Sequence, residues 1–216
     1  MFIIPNLKNY RILFMKTNAL IQCSDFPCQD VNNSGFQVPN IEFDPVGIKM
    51  IMISEASPEK TVDYFYASEN ALFRQTTLLA FKDAGFEFNS ISDLLNAGIY
   101  LTTAVKCAKT GYLIKTNSIK NCSLLLEQEL ALFPNIKVLM LMGDVAIKSL
   151  NYIAKRQGEP RVIPAGSTYK IRGGEFYYKN IRAFPSYLQA GPSFFIEKSK
   201  RRMIAEDIKL ALEKFS

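Results

Sequence analysis

Short apolar runs, separated by segments of helical periodicity, constrain the fold of this chain more than any other sequence feature. The runs are KMIMIS at 49–54, IYLTTAV at 99–105 and KVLMLM at 137–142. Nearly continuous apolar runs of this length are typical of strands that are buried on both faces. A sheet made of such strands needs a covering layer on each side, and the segments between the runs must supply it.

The segments around these runs have the spacing of amphipathic helices. Residues 69–84 carry apolar side chains at helical spacing, and Gly85 suits the helix exit. Further helices are predicted at 118–133, from Gly143–Asp144 to about Arg156, and at 196–215. This alternation predicts a single three-layer α/β/α domain over residues 1–216, with a central, mostly parallel sheet.

The rest of the chain carries weaker local signals. Residues 1–22 are consistent with an amphipathic helix, and residues 23–46 are rich in turn formers and predict a loop. Gly173–Gly174 predicts a hairpin between TYKIR and EFYY, and Lys179–Asn180 predicts a second turn.

The composition excludes several classes of site and compartment. The chain has no histidine, which rules out Ser-His-Asp triads and zinc sites with His ligands. Lys and Arg number 26 against 20 for Asp and Glu, and the net charge of +6 favours acidic partners such as nucleic acid. Its 4 cysteines are too few for a disulfide-rich secreted domain, and no apolar run is long enough for a membrane span. We therefore expect a soluble, cytoplasmic monomer with reduced thiols and no membrane partner.

The predicted sheet also predicts where a site should lie. In open parallel sheets, ligands bind beyond the carboxyl ends of the strands, which here selects segments 54–59, 103–109, 143–144 and 184–193. In the first of them Glu55 is a carboxylate at a strand end, able to hold a water or a substrate. The alternative for Glu55 is a solvated side chain in a turn.

The second segment adds a hydroxyl and a thiol. Thr103 is predicted to lie one position into the loop, and Cys107 follows a lysine that would favour its thiolate. The alternative is a strand-end threonine and a buried cysteine. We expect Thr103 and Phe184 to face the same cleft as Glu55, because all three follow neighbouring strands.

The cysteines form two spaced pairs, Cys23 with Cys28 and Cys107 with Cys122. All are predicted to lie in loops or at a helix start, and none inside a strand. Two pairs in a reduced compartment suit a tetrahedral thiolate set for Zn²⁺ or an iron–sulfur cluster. The alternative is a set of unrelated thiols.

The last segment is a Pro-rich loop with a basic flank. It places Tyr187 and Leu188 between turn formers, and Lys198, Lys200, Arg201 and Arg202 follow. A rigid loop with an exposed apolar side chain beside cations can enter a nucleic-acid groove. The alternative is a loop that leads into a helix whose polar face is basic.

Five motifs in this order resemble the uracil-DNA glycosylase superfamily, most closely the iron–sulfur type of bacteria and archaea. The first two are Ser54–Pro58, which corresponds to a Gly-Glu-Ala-Pro-Gly-like motif, and Thr102–Cys107, which corresponds to Thr-Asn-x-Val-Lys-Cys. Leu141–Ala146 corresponds to a strand that ends in Gly before a helix, and Arg172–Gly173 to an Arg-Gly hairpin. The last is Phe184–Ser193, which corresponds to His-Pro-Ser-Tyr-Leu-Leu-Arg-x-Pro-Ser. The resemblance spans about residues 23–212.

The resemblance implies a DNA repair protein that excises a damaged base such as uracil by hydrolysing its N-glycosidic bond, from single-stranded DNA or a damaged duplex. It implies a 4Fe–4S cluster held by Cys23, Cys28, Cys107 and Cys122. The implied catalytic positions are Glu55, which positions or polarises a water, Thr103 at the base edge, Phe184 and Ser186. The implied DNA contacts are Ser57, Tyr187, Leu188, Lys198, Lys200, Arg201 and Arg202.

The departures from the family pattern fall on the chemistry. Thr103 stands where the family has the Asn that reads the base edge, and a hydroxyl lacks the paired donor and acceptor of an amide. Phe184 stands where the family has a His that stabilises the leaving base, and Ala190 replaces an Arg. The ring that stacks on the base could be Phe65, Tyr66 or Phe73.

These departures leave a second interpretation, a non-catalytic member of the superfamily that binds nucleic acid or a nucleotide. A third interpretation, a flavodoxin-like protein for a small phosphorylated ligand, is disfavoured because no Gly-rich phosphate loop follows the first strand.

Overall fold

The structure is a computed structural model, and it describes residues 15–214. The strands are β1 (Met15–Lys16), β2 (Val31–Asn32), β3 (Glu42–Phe43), β4 (Met50–Ser57), β5 (Ile99–Lys109), β6 (Val138–Met142), β7 (Phe176–Tyr178) and β8 (Ile181–Ser186). The helices are α1 (Leu72–Asp83), α2 (Ile91–Asn96), α3 (Thr116–Leu130), α4 (Asp144–Arg156), α5 (Thr168–Ile171), α6 (Ser193–Ile196) and α7 (Lys198–Glu213). The predicted α/β class is confirmed.

A 6-stranded sheet in the order β2-β5-β4-β6-β8-β7 forms the centre of the molecule. Its four inner strands run parallel, and β2 and β7 pair antiparallel at the two edges. The carboxyl ends of β4, β5, β6 and β8 therefore meet at one edge of the sheet, which is the edge where the sequence predicts a site.

The two faces of the sheet explain why the strand sequences read as continuous apolar runs. In β4, Ile51 and Ile53 pack on the face covered by α3 and α4, while Met50 and Met52 pack on the face covered by α1 and α7. Successive side chains of a strand point to opposite faces, so a strand covered on both sides has no polar face. β6 repeats the pattern, with leucines on one face and Val and Met on the other.

Two local predictions are wrong. Gly173–Gly174 makes no hairpin, because Thr168–Ile171 forms α5 and the glycines follow the end of that helix. The hairpin lies at Lys179–Asn180, the second predicted turn, where Tyr178 pairs with Ile181 and Lys179 adopts a φ of 54°. The predicted helix over 1–22 is also wrong for residues 15–22, which form β1 and a 3₁₀ turn, and its residues 1–14 lie outside the described chain.

The predicted surroundings of the cysteines also need correction. Cys107 lies inside β5, not in a loop, and Cys122 lies in the second turn of α3. β5 extends beyond the IYLTTAV run, through Lys106 to Lys109. Thr103, predicted to lie in the loop, is therefore a strand residue as well. Within residues 15–214, no helix has the length and apolar character that crossing a membrane requires.

Candidate functional site

A cavity of about 440 Å³ opens at the carboxyl ends of the central strands. The end of β4 lines it through Glu55 and Ser57, the end of β5 through Lys109, the start of α1 through Phe73, and the loop after β8 through Leu188. This cavity lies at the edge of the sheet where the sequence predicts the site.

A second cavity of about 470 Å³ shares Glu55, Lys109 and Leu188 with the first. It extends past Gly143, at the start of α4, to the loop that contains Tyr112. Glu55 thus borders both spaces, and it is the one predicted catalytic residue that lines either of them.

Two neighbours fix the position of the Glu55 carboxylate. Lys109 Nζ lies 3.5 Å from Glu55 Oε2, and the two side chains are 30% and 18% exposed. On the other side Gly143 comes so close that a Cβ built on it would lie 2.6 Å from Glu55 Oε1. Gly143 also has a φ of 101° and a ψ of 168°, a backbone conformation that glycine alone adopts readily. Glycine at 143 is therefore required both by the backbone and by the carboxylate.

Thr103 is fully buried and is connected to the cavity through Ser57. The Ser57 hydroxyl donates to the backbone carbonyl of Lys106 at 2.8 Å and lies 3.4 Å from the Thr103 hydroxyl. Since Ser57 has a single proton and donates it to Lys106, the Thr103 hydroxyl must be the donor of the longer bond. Thr103 is thus hydrogen-bonded within the protein beneath the cavity wall.

Phe184 lies in the core and lines neither cavity. It is 4% exposed, belongs to the apolar layer between the sheet and α1 and α7, and has the Arg182 guanidinium 4.3 Å from its ring centroid. The expectation that Phe184 faces the cleft with Glu55 is therefore wrong for this ring.

Ser186 is fully buried and binds a carboxylate rather than facing the cavity. Its hydroxyl donates to Asp207 Oδ2 at 2.6 Å, and Asp207 also pairs with Arg172 at 2.8 Å. Burial raises the pKa of Asp207, while the bonds from Ser186 and Arg172 oppose that rise. Ser186 consequently joins β8 to α7.

The loop after β8 is anchored by one buried side chain. Gln189 is fully buried, accepts a hydrogen bond from Ser54 at 3.2 Å and donates to Thr77 at 3.4 Å. This anchor holds the neighbouring Leu188 against both cavities and leaves Tyr187 in the second one, with Lys200 Nζ 5.6 Å from its ring. Tyr187 and Leu188, two of the predicted DNA contacts, therefore lie at these cavities.

The four residues of the predicted basic cluster make different contacts. Arg201 forms a two-nitrogen ion pair with Asp83 on α1, and Lys200 pairs with Glu197 at 2.7 Å. Lys198 and Arg202 are exposed on α7. Arg201 thus joins two helices, and Lys198 and Arg202 present their charge to solvent.

The structure distinguishes the three candidate stacking rings. Phe73 lines the first cavity, whereas Phe65 is fully buried behind it, with the two ring centroids 5.2 Å apart. The Tyr66 hydroxyl exchanges hydrogen bonds with both backbone groups of Leu101. Phe73 is therefore the candidate ring placed to contact a ligand in the first cavity.

All cysteines of the chain line one further cavity, of about 320 Å³. Cys107 and Cys122 are buried, and Cys23 and Cys28 are half-buried in the loop that covers them. The backbone N–H of Lys106 donates to Cys122 Sγ at 3.1 Å. Burial raises the pKa of the Cys107 thiol to about 12 and that of Cys122 to about 11.

This thiol set does not match a single metal ion. Within residues 15–214, no three Cys, His, Asp or Glu side chains are grouped closely enough to hold one ion. In a cubane cluster each cysteine binds a different iron, so the ligating sulfurs stand further apart than the edges of about 3.8 Å in a tetrahedral zinc site. The thiols border one shared cavity, and an N–H···S bond is already present at Cys122, so the donor set is of the kind that holds an iron–sulfur cluster.

Sequence reasoning missed a buried ion pair beneath the site. Lys106 and Glu129 are both fully buried and in direct contact, and the Lys106 ammonium also donates to Thr102 Oγ1 and to the Thr103 carbonyl. Glu129 accepts further bonds from Tyr100 and Thr102. A lysine within an otherwise apolar strand was the signal that a buried partner must exist.

A family model described as the uracil DNA glycosylase superfamily matches residues 42–206, a range that includes strands β4 to β8 of the sheet, both strand-end cavities, Cys107 and Cys122. Cys23 and Cys28 precede the matched range. No curated protein matches the chain.

Proposed function

The chain belongs to the uracil DNA glycosylase superfamily, and from that premise we propose that it binds DNA and hydrolyses the N-glycosidic bond of a damaged base such as uracil. The site would be the pair of cavities around Glu55, with the extruded base in the first one, against Phe73. We place this DNA repair activity in the cytoplasm, where the thiols stay reduced.

The position of Glu55 carries the proposal. Its carboxylate is partly buried at the end of β4, paired with Lys109 and bordered by two cavities large enough for a base and its sugar. A base cannot be attacked inside a stacked duplex, so a glycosylase needs such a pocket for an extruded nucleotide. Leu188, held at the rim by the buried Gln189, would occupy the gap that the base leaves.

The side chains at these cavities are suited to hydrolysis of the N-glycosidic bond. The bond between C1′ and the base nitrogen breaks, and its electron pair leaves with the base. A water adds through its oxygen to C1′, and Glu55 accepts the water proton. A carboxylate beside C1′ also stabilises the positive charge that develops on the sugar.

Lys109 is the cation nearest to Glu55 and lines both cavities. In a chain without histidine, its ammonium, paired with Glu55, is our candidate donor to the departing base anion. It would substitute for the donor that the resemblance implies at position 184.

A specific observation favours the second candidate, a non-catalytic DNA-binding member. The Phe184 ring is buried away from Glu55, and the Thr103 hydroxyl is bonded to Ser57 beneath the cavity wall. Both positions at which the family recognises and releases uracil therefore contribute no free polar group to the cavity.

A cleavage assay on a uracil-containing single-stranded oligonucleotide separates the candidates. If the chain is a glycosylase, abasic product forms and Glu55→Gln lowers the single-turnover rate by roughly 10² to 10³. Glu69→Gln, an exposed carboxylate that lines neither cavity, is the matched control. Salt-dependent DNA binding without product identifies the non-catalytic member, and no binding at low salt refutes both.

We further propose that Cys23, Cys28, Cys107 and Cys122 hold a 4Fe–4S cluster, as in the iron–sulfur type of the superfamily. The shared cavity and the N–H···S bond to Cys122 support this assignment. The bound cluster would cross-link the loop before β2 to β5 and α3. Protein purified without oxygen should be brown and contain about four irons per chain, and Cys107→Ser should lose both. Colourless, iron-free protein under those conditions refutes the assignment.

A further inference from the structure

The loop between β5 and α3 presents the most exposed large apolar side chains of the described chain. Tyr112 is 91% exposed and Leu113 is 79% exposed. They follow Gly111 at the tip of a loop that runs from Thr110 to Lys115. Adjacent apolar side chains at this level of exposure are typical of a contact surface for a partner.

This loop borders the candidate site. Tyr112 and Leu113 line the same cavity as Glu55, and Tyr187 and Leu188 line it as well. The Tyr112 loop and the loop after β8 are thus two separate segments that both contribute aromatic and aliphatic side chains to this cavity. A strand that delivers a base to Glu55 would have its flanking nucleotides within reach of both loops.

The loop that carries Tyr112 is basic. Residues 107–126 contain Lys109, Lys115 and Lys120 and no acidic residue. The cavity itself is also lined by three acidic residues, Glu55, Asp144 and Glu197, each paired with a lysine. Lys109 Nζ lies 5.7 Å from the centroid of the Tyr112 ring. An exposed ring with an ammonium group beside it combines the two features with which proteins hold a single strand, a stacking surface and phosphate neutralisation.

We propose that Tyr112 and Leu113 form a platform on which an unpaired base of single-stranded DNA stacks, next to the nucleotide held in the cavity at Glu55. The proposal rests on the proposed function, which brings DNA to this cavity. It predicts a preference for single-stranded over fully paired DNA, because in a duplex the faces of the bases are covered by their neighbours. Lys109 and Lys115 flank the exposed ring in sequence with no acidic residue between them, which favours a polyanion over an apolar peptide as the occupant.

The absence of tryptophan from the chain gives a direct test. Tyr112→Trp introduces a single tryptophan at the loop tip, and its fluorescence should be quenched when an unlabelled single-stranded oligonucleotide stacks on it. Tyr177→Trp is the matched control, since Tyr177 is also exposed, at 52%, but lies in the edge strand β7. Its fluorescence should not change.

The second measurement is the change in fluorescence anisotropy when a fluorescein-labelled oligonucleotide binds. Tyr112→Ala should weaken the Kd about five- to a hundredfold, the loss of one base–aromatic stack. Tyr112→Phe should bind as the native protein does, because the ring is kept. The exposed position of Tyr112 makes these variants compatible with the fold.

The outcomes separate this proposal from the proposed function. Oligonucleotide binding that is insensitive to Tyr112→Ala, with no quenching at Tyr112→Trp, refutes the platform and leaves the proposed function intact. If native protein binds no oligonucleotide at low salt, the proposed function and the platform fail together. Equal binding of single strand and duplex, with equal losses in Tyr112→Ala, also refutes stacking on an unpaired base.

Discussion

Replacing Gly143 by alanine tests how the carboxylate at the centre of the site is held. The Cβ of the alanine would lie 2.6 Å from Glu55 Oε1 and 2.7 Å from Glu55 Cγ, where atoms in contact normally stand 3.5–4.0 Å apart. The substitution also places a side chain at φ 101° and ψ 168°. The backbone strain costs about 1–3 kcal/mol, and the overpacking costs a further ~1–3 kcal/mol.

A double-mutant cycle with Glu55→Ala separates these two costs. Glu55→Ala removes the three atoms nearest to the new Cβ, so in that background the backbone strain is the main cost that remains. Urea denaturation gives each unfolding free energy by linear extrapolation. We expect a coupling free energy of about 1–3 kcal/mol between positions 55 and 143, which is the overpacking contribution.

Gly158→Ala is the control for positive φ without a close neighbour. Gly158 has a φ of 74°, and nothing lies within 4 Å of its added Cβ. Its free energy of unfolding should fall by only about 1–2 kcal/mol, through backbone strain. If Gly143→Ala costs no more than Gly158→Ala, and its effect is the same with or without the Glu55 side chain, then Gly143 does not hold the carboxylate in place.

Three further predictions follow from contacts at and below the site. Lys106→Met alone should lower the unfolding free energy by about 3–5 kcal/mol, because Glu129 would be left charged and buried, whereas the Lys106→Met/Glu129→Leu pair should cost much less; equal costs in urea denaturation would contradict this. Replacing the exposed Lys198 and Arg202 together by alanine should flatten the slope of log Kd for DNA against log salt by about 2, and an unchanged slope would exclude them from the interface. Phe184→His should destabilise the protein by about 1–3 kcal/mol without raising uracil excision, because the imidazole would be buried in the core with its polar nitrogens lacking water; a gain in excision would show that position 184 reaches the base.

The sheet was predictable because each inner strand is covered on both sides. The MIMI run of β4 sends isoleucines to one face and methionines to the other, and no single-sided strand would have that sequence. The hairpin was misplaced because paired glycines occur at helix ends as well as in turns. Only the pairing of Tyr178 with Ile181, which depends on the sheet register, distinguishes the two.

The location of the site was predictable, whereas the contacts within it were not. A parallel sheet fixes the edge at which Glu55 lies, whatever the side chains are. Its partners come from the end of β5 and the start of α4, far away in sequence, and the register between strands decides which of their side chains face the cavity. Phe184 was assigned by motif order, but on β8 neighbouring side chains alternate between faces, and its own face is the core.

The way the chain could do chemistry without histidine follows from these contacts. Uracil excision needs a group that stabilises charge on the sugar and a donor for the base that leaves. In the proposed mechanism Glu55 and Lys109 would supply one of each; the two side chains lie 3.5 Å apart, and both line the two cavities. Phe184 instead packs between the sheet and α7. Under the proposed mechanism the polar groups at the site come from the ends of β4 and β5 rather than from β8, at the same edge of the sheet. The proposed donor is then a lysine rather than an imidazole, so Glu55 and Lys109 are the first side chains to test.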